Sequence, residues 1–145
     1  KSIIESNGLI EQIRILDFVD NSELGAYYNL ADVGVWPGTS SISVIEALGT
    51  ELPLVLPKGN NDYKVVFDVN AAIGFEKHDV CSLASALGDV VRSPEIRLEV
   101  SNNAKILVNE KLSWKKVAEQ SIALYCDRPN VHMTEGGAPD AFQAR

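Results

Sequence analysis

The sequence is poor in the residues that build metal and redox centres. Its 145 residues include two cysteines, two histidines and one methionine. Cys81 and Cys126 lie far apart and form no CxxC, and His78 and His132 add too few ligands for a Cys/His metal cluster. Two reduced, packed thiols in a cytoplasmic protein are the expectation. Basic residues are also short: 13 Lys and Arg stand against 20 Asp and Glu, a formal net charge of −7. Duplex nucleic acid or an anionic membrane face as the main partner is disfavoured, because each needs a basic footprint. A small anion held by uncharged backbone amides remains open. No apolar run approaches the ~20 residues that span a bilayer. No long apolar stretch follows Lys1, so no signal peptide is expected, and the missing initiator Met predicts a trimmed product or a piece of something longer. GxGxxG and GxxxxGK[ST] are absent, so dinucleotide and P-loop readings lack their motifs.

What is present is a globular composition, 46% apolar, at a length that fits one domain. Strand and helix patterns alternate. Ser2–Asn7 reads as the end of a helix, stopped by Gly8. Residues 13–19 read as a strand, rich in β-branched and aromatic residues. Asp20 opens a helix carrying Leu24, Tyr27, Tyr28 and Ala31 at helical spacing. Residues 33–36 form a short apolar strand ended by Pro37-Gly38. A polar turn follows, then a helix over 42–48. Residues 53–56 are a second apolar strand, residues 58–63 a loop, and residues 72–75 a final strand. Three helices come last. Their expected buried faces are Val80, Leu83, Leu87, Val90 and Val91; then Ile96, Val100, Ala104 and Leu107; then Trp114, Val117, Ala118, Ser121, Ile122 and Tyr125. The second starts at Ser93-Pro94-Glu95, an N-cap serine with proline in the first turn. Apolar strands alternating with helices predict an α/β domain whose parallel sheet is covered on both faces. Residues 127–145 lack periodicity and are expected to be a flexible or loosely docked tail, whose Met133 and Phe142 offer apolar contacts.

Ligands of parallel sheets bind beyond the carboxyl ends of the strands, where loops enter helices. That rule singles out the run from Trp36 to Ala47: strand, small polar turn, helix. Gly38, Thr39, Ser40 and Ser41 keep the turn open. Free amides near Ile42 and Ser43 point outward at the positive end of the helix dipole. The Ser41 and Ser43 hydroxyls can add donors. Glu46 follows one turn later on the same side. A carboxylate there would repel phosphate but suits vicinal hydroxyls. A helix start for diphosphate and a glutamate for ribose is what a nucleotide-sugar needs. The same residues also fit a plain serine-capped helix with no ligand.

Several segments resemble the retaining, nucleotide-sugar-dependent glycosyltransferases of the GT-B fold, the "glycosyltransferase group 1" family. Residues 15–24 (ILDFVDNSEL) resemble its strand, G-x-V and "xxEL" helix start, with Asp17 in place of the glycine. Residues 28–37 (YNLADVGVWP) resemble "Y-x-x-A-D-V-x-V-x-P". Residues 45–55 (IEALGTELPLV) resemble "lEAmAxGxPVv". Leu112-Ser113-Trp114 followed by Tyr125 resembles "fSW…Y".

The resemblance covers about residues 1–125. It implies a Rossmann-like parallel sheet flanked by helices, the C-terminal, donor-binding half of the enzyme, ending in a helical pair. Residues 1–126 would be that domain, with its first strand and helix and the whole acceptor domain upstream. The implied function is transfer of a hexosyl group from a nucleotide diphospho-sugar to a glycan, lipid or other hydroxyl acceptor, without metal or cofactor, in the cytoplasm or at the inner membrane face. Any membrane association would come through the upstream half. Glu46 would bind the donor ribose, and Gly38, Thr39, Ser41, Ile42 and Ser43 would border the diphosphate. Val19 would border the base. No catalytic residue falls in this chain, which alone should be inactive. Where the family places the first glutamate of E-x7-E the chain has Gly38, and nothing matches the family's Arg and Lys. The alternative is therefore a non-catalytic nucleotide-sugar-binding or scaffolding module of the same fold.

Other candidates have plainer readings. Asp32 lacks the companion acids of a phospho-acceptor. His78 reads as a solvated loop residue, and Trp36 and Trp114 as core. Lys58, Asn60, Asn61 and Lys64 lie in a loop on the ligand side of the sheet, within reach of a ligand or simply solvated.

Overall fold

A computed structural model describes residues 2–38 and 41–126. The tail at 127–145, with Met133 and Phe142, lies outside the described residues, as does Thr39. A three-stranded parallel sheet in the order β1-β2-β3 forms the centre: β1 (Gly34–Val35), β2 (Leu54–Pro57) and β3 (Ile73–Phe75). Gly34 aligns with Leu54 and Val35 with Val55; Val55 aligns in turn with Ile73. Seven helices surround it: α1 (Ser2–Ser6), α2 (Asn21–Leu30), α3 (Ile42–Gly49), α4 (Lys64–Phe67), α5 (Val80–Arg92), α6 (Pro94–Leu107) and α7 (Trp114–Cys126).

The period of β2 explains the two-faced core. Alternate strand residues point to opposite faces. Leu54 and Leu56 join Val44, Ala47 and Leu48 of α3, Val66 of α4, and Ala104 and Leu107 of α6. Val55 points the other way, to Phe75 of β3 and to Ala86 and Val90 of α5. A strand buried on both faces has to be apolar throughout, and every residue of β2 is buried.

Helix ends follow the residues expected of them. Gly8, at φ +67°, closes α1, and the Leu9 N–H reaches back to Ile4 C=O at 3.0 Å and the Gly8 N–H to Glu5 C=O at 3.1 Å. The Asp20 carboxylate caps α2 by accepting from Ser22 N–H at 2.9 Å. Ser93 caps α6, accepting from Ile96 N–H at 3.3 Å, with Pro94 next.

Four expectations do not hold. Residues 13–19 pair in no ladder among the described residues, and Ile15, Leu16 and Phe18 are exposed, Phe18 at 94%. A strand stands only when a neighbour takes up its backbone groups, and the described sheet ends at β1. Trp114 is 82% exposed, and α7 buries none of its residues, because it follows a π-helical turn at Val108–Leu112 that carries it off the core. On α5, Val80 and Val91 face solvent, since the stripe meeting the sheet runs through Leu83, Ala86, Leu87 and Val90. Cys81 and Cys126 are free and exposed, where packed thiols were expected. The segment read as loop after β2 also holds a 3-10 turn, Asn61–Tyr63, leading into α4.

Candidate functional site

The loop from β1 to α3 leaves the carboxyl end of the sheet. Residues 36–38 lead out of β1, and Ser41 is the N-cap of α3 with extended backbone. Its Oγ accepts from Ser43 N–H at 3.3 Å, while its carbonyl accepts from Val44 N–H at 3.1 Å. An anion seated on the Ser43 amide therefore competes with one long hydrogen bond. The first turn has no acidic residue to repel it.

The hydroxyls of this turn are engaged with one another. Ser41 Oγ and Ser43 Oγ lie 2.7 Å apart. The Trp36 indole N–H donates to Ser43 Oγ at 2.9 Å. Trp36 is thus part core, as expected, and part brace for α3: its ring lies against the core and its polar edge holds the helix start. The Tyr28 ring, on α2, sits 6.2 Å from the Trp36 ring at 50°. Its phenol pKa is raised above 10.0, first by desolvation, then by the negative charge of Glu46, with the Ser43 hydroxyl opposing. Tyr63, after β2, is buried and meets the backbone of Ser41. Desolvation, and to a lesser extent Asp62, raise the Tyr63 pKa against that hydrogen bond.

Glu46 is half-buried one turn beyond Ser43, and it makes no hydrogen bond or ion pair among the described residues. A desolvated carboxylate without a donor is costly, so this one is poised for a ligand that brings hydroxyls. Two hollows flank it. A cavity of about 330 Å³ runs between Ser41, Ile42, Ile45, Asp62 and Tyr63. A groove of about 410 Å³ runs between Ile42, Ile45, Glu46, Leu112, Trp114 and Val117. Both fall in the size range of small-molecule sites.

Of the residues singled out from sequence, Ser41, Ile42, Ser43 and Glu46 come together on the first turns of α3. Gly38 is exposed at the entry to the turn, with open space around its Cα. Val19 is half-buried before the Asp20 cap and lines neither hollow. Lys58 is tied to Glu76 at 3.0 Å and Lys64 to Asp68 at 2.6 Å, both exposed pairs. Asn60 caps the 3-10 turn through Asp62 N–H at 3.1 Å. His78 is exposed at φ +66°. Tyr28 and Tyr63 were missed; a half-buried phenol needs a polar partner, and that need is the signal that could have found them.

No family model matches the chain. Curated relatives do. An alpha-monoglucosyldiacylglycerol synthase from Acholeplasma laidlawii is 30% identical over 128 residues, covering 86% of this chain and 30% of that one. An MMP alpha-(1->4)-mannosyltransferase from Mycolicibacterium hassiacum is 29% identical over 136 residues, 84% of this chain and 33% of that one. An uncharacterised glycosyltransferase from Methanocaldococcus jannaschii is 28% identical over 122 residues, 81% and 31%. These relatives are glycosyltransferases. The chain spans about a third of their length.

Solved structures agree on the fold. Sucrose-phosphate synthase from Thermosynechococcus elongatus superposes with a TM-score of 0.76 at 20% identity, over 86% of this chain and 32% of that one. The C-terminal domain of a glycosyl transferase group 1 family protein from Francisella tularensis gives 0.69 at 19% identity, over 78% and 60%. The parallel sheet flanked by helices is the C-terminal-domain fold of GT-B glycosyltransferases. No helix among the described residues is long and apolar enough to cross a membrane.

Proposed function

We propose that this chain is the donor-binding part of a retaining glycosyltransferase, holding a nucleotide diphospho-sugar whose glycosyl group passes to a glycan, lipid or other hydroxyl acceptor. The observation that carries the reading is Glu46: a half-buried carboxylate without a protein donor, one turn from the amides that open α3. In this account the amides of Ile42 and Ser43 take the diphosphate, and Glu46 accepts from the vicinal hydroxyls of ribose. As the glycosyl bond breaks, negative charge grows on the diphosphate, and amide dipoles already aimed at it stabilise the leaving group. The acceptor and the remaining diphosphate contacts come from a longer polypeptide, working in the cytoplasm or at the inner membrane face. Relatives named as transferases favour this over a non-catalytic module of the same fold.

Calorimetric titration of the chain with UDP, GDP and ADP tests the reading. Binding of at least one, lost in Glu46→Ala, is the expected result. Failure of all three to bind, together with unchanged glycosyl transfer by Glu46→Ala in the longer enzyme, would overturn it.

A further inference from the structure

We propose that Tyr28 is a specificity-determining residue of this site: its phenol, at the end of a hydroxyl chain running through Ser41 and Ser43, orients the Glu46 carboxylate toward a ribose 2′-hydroxyl. The inference rests on the reading of Glu46 as the ribose acceptor. Its basis is a count of protons. Ser43 Oγ has three polar neighbours and one proton of its own. The Trp36 indole can only donate, so it fills one acceptor position of Ser43. Ser41 Oγ already accepts from Ser43 N–H, and its own proton fills the second position. The Ser43 proton then goes to the Tyr28 oxygen, and the Tyr28 proton is left for Glu46 and whatever Glu46 holds.

Geometry supports this assignment. Tyr28 reaches α3 from a different helix, and the tilted contact with Trp36 fixes its ring. Ser43 and Glu46 are three residues apart on one face of α3, so the phenol meets both. Nothing else among the described residues bonds to Glu46. A carboxylate steered by a donor on one side presents its remaining lone pairs to the ligand in a fixed direction. Such a site rejects a ligand that lacks the matching hydroxyl.

The test uses the 145-residue chain with Tyr28→Phe, which keeps the ring and removes only the hydroxyl. Whichever of UDP, GDP and ADP the unaltered chain binds most tightly is titrated beside its 2′-deoxy form. The unaltered chain is expected to prefer the ribonucleotide by about tenfold, and Tyr28→Phe to reduce that preference to about twofold with an unchanged melting temperature. Ser43→Ala, which cuts the chain of hydroxyls from the other side, is expected to lower the preference in the same direction. A full preference in Tyr28→Phe, with Glu46→Gln abolishing it, would overturn the role of Tyr28 and leave the donor site standing. Equal binding of the two nucleotides by the unaltered chain would overturn the ribose role of Glu46 and this proposal with it.

Discussion

The indole N–H of Trp36 donates to the hydroxyl of Ser43 across 2.9 Å, tying the end of β1 to the first turn of α3. Ser43→Ala leaves a part-buried indole N–H without its acceptor. The variant is expected to lose about 1–3 kcal/mol of stability. Urea unfolding checks this, and near-UV circular dichroism should show the Trp36 environment altered.

Gly34 lies beneath the same ring. A Cβ there would stand 2.5 Å from Trp36 Cζ3 and 2.9 Å from Leu54 Cδ2, closer than packed carbons approach. Gly34→Ala forces the indole or β1 to move, at about 1–3 kcal/mol for an overpacked core. Since the displaced ring braces α3, nucleoside diphosphate binding should weaken in the same variant. Denaturation and calorimetry measure the two effects side by side.

Glu46 separates function from stability. Its carboxylate has no hydrogen-bond or ion-pair partner to lose among the described residues. Glu46→Ala is therefore expected to keep or slightly raise the melting temperature while nucleoside diphosphate affinity falls about tenfold or more. A residue serving the fold would behave in the opposite way. Thermal denaturation and titration of one preparation distinguish them.

Tyr28 and Tyr63 predict the alkaline limit. Desolvation raises both phenol pKa values above 10.0, helped by Glu46 at Tyr28 and by Asp62 at Tyr63. The folded chain thus favours the protonated phenols more than the unfolded chain does. That contribution is complete below pH 10 and is lost as pH rises from there through the raised values. Stability should fall above pH 10, less steeply in Tyr28→Phe and Tyr63→Phe. Urea midpoints measured from pH 8 to 11 provide the check.

The parts of the fold legible in the sequence are those with strong local causes. Leu54, Val55 and Leu56 are apolar without a break because both faces of β2 are covered. Asp20, Ser41 and Ser93 announce helix starts because their side chains take up orphan amides. Residues 13–19 carry strand propensity, but a strand depends on a neighbour, which propensity does not supply. Trp114 looks apolar enough for a core, yet the π-helical turn before it sets where α7 goes. At the site, Ser41, Ile42, Ser43 and Glu46 are close in sequence, so helical spacing finds them. Tyr28 and Tyr63 reach α3 from other elements, and only the fold brings them there.

Backbone amide shifts measure the central claim most directly. The ¹⁵N-labelled chain is titrated with UDP, GDP and ADP, and each amide is followed. The account predicts that the largest shifts fall on Ile42, Ser43 and Glu46 and shrink in Glu46→Ala. Binding centred elsewhere on the chain, with the start of α3 unmoved, would contradict it.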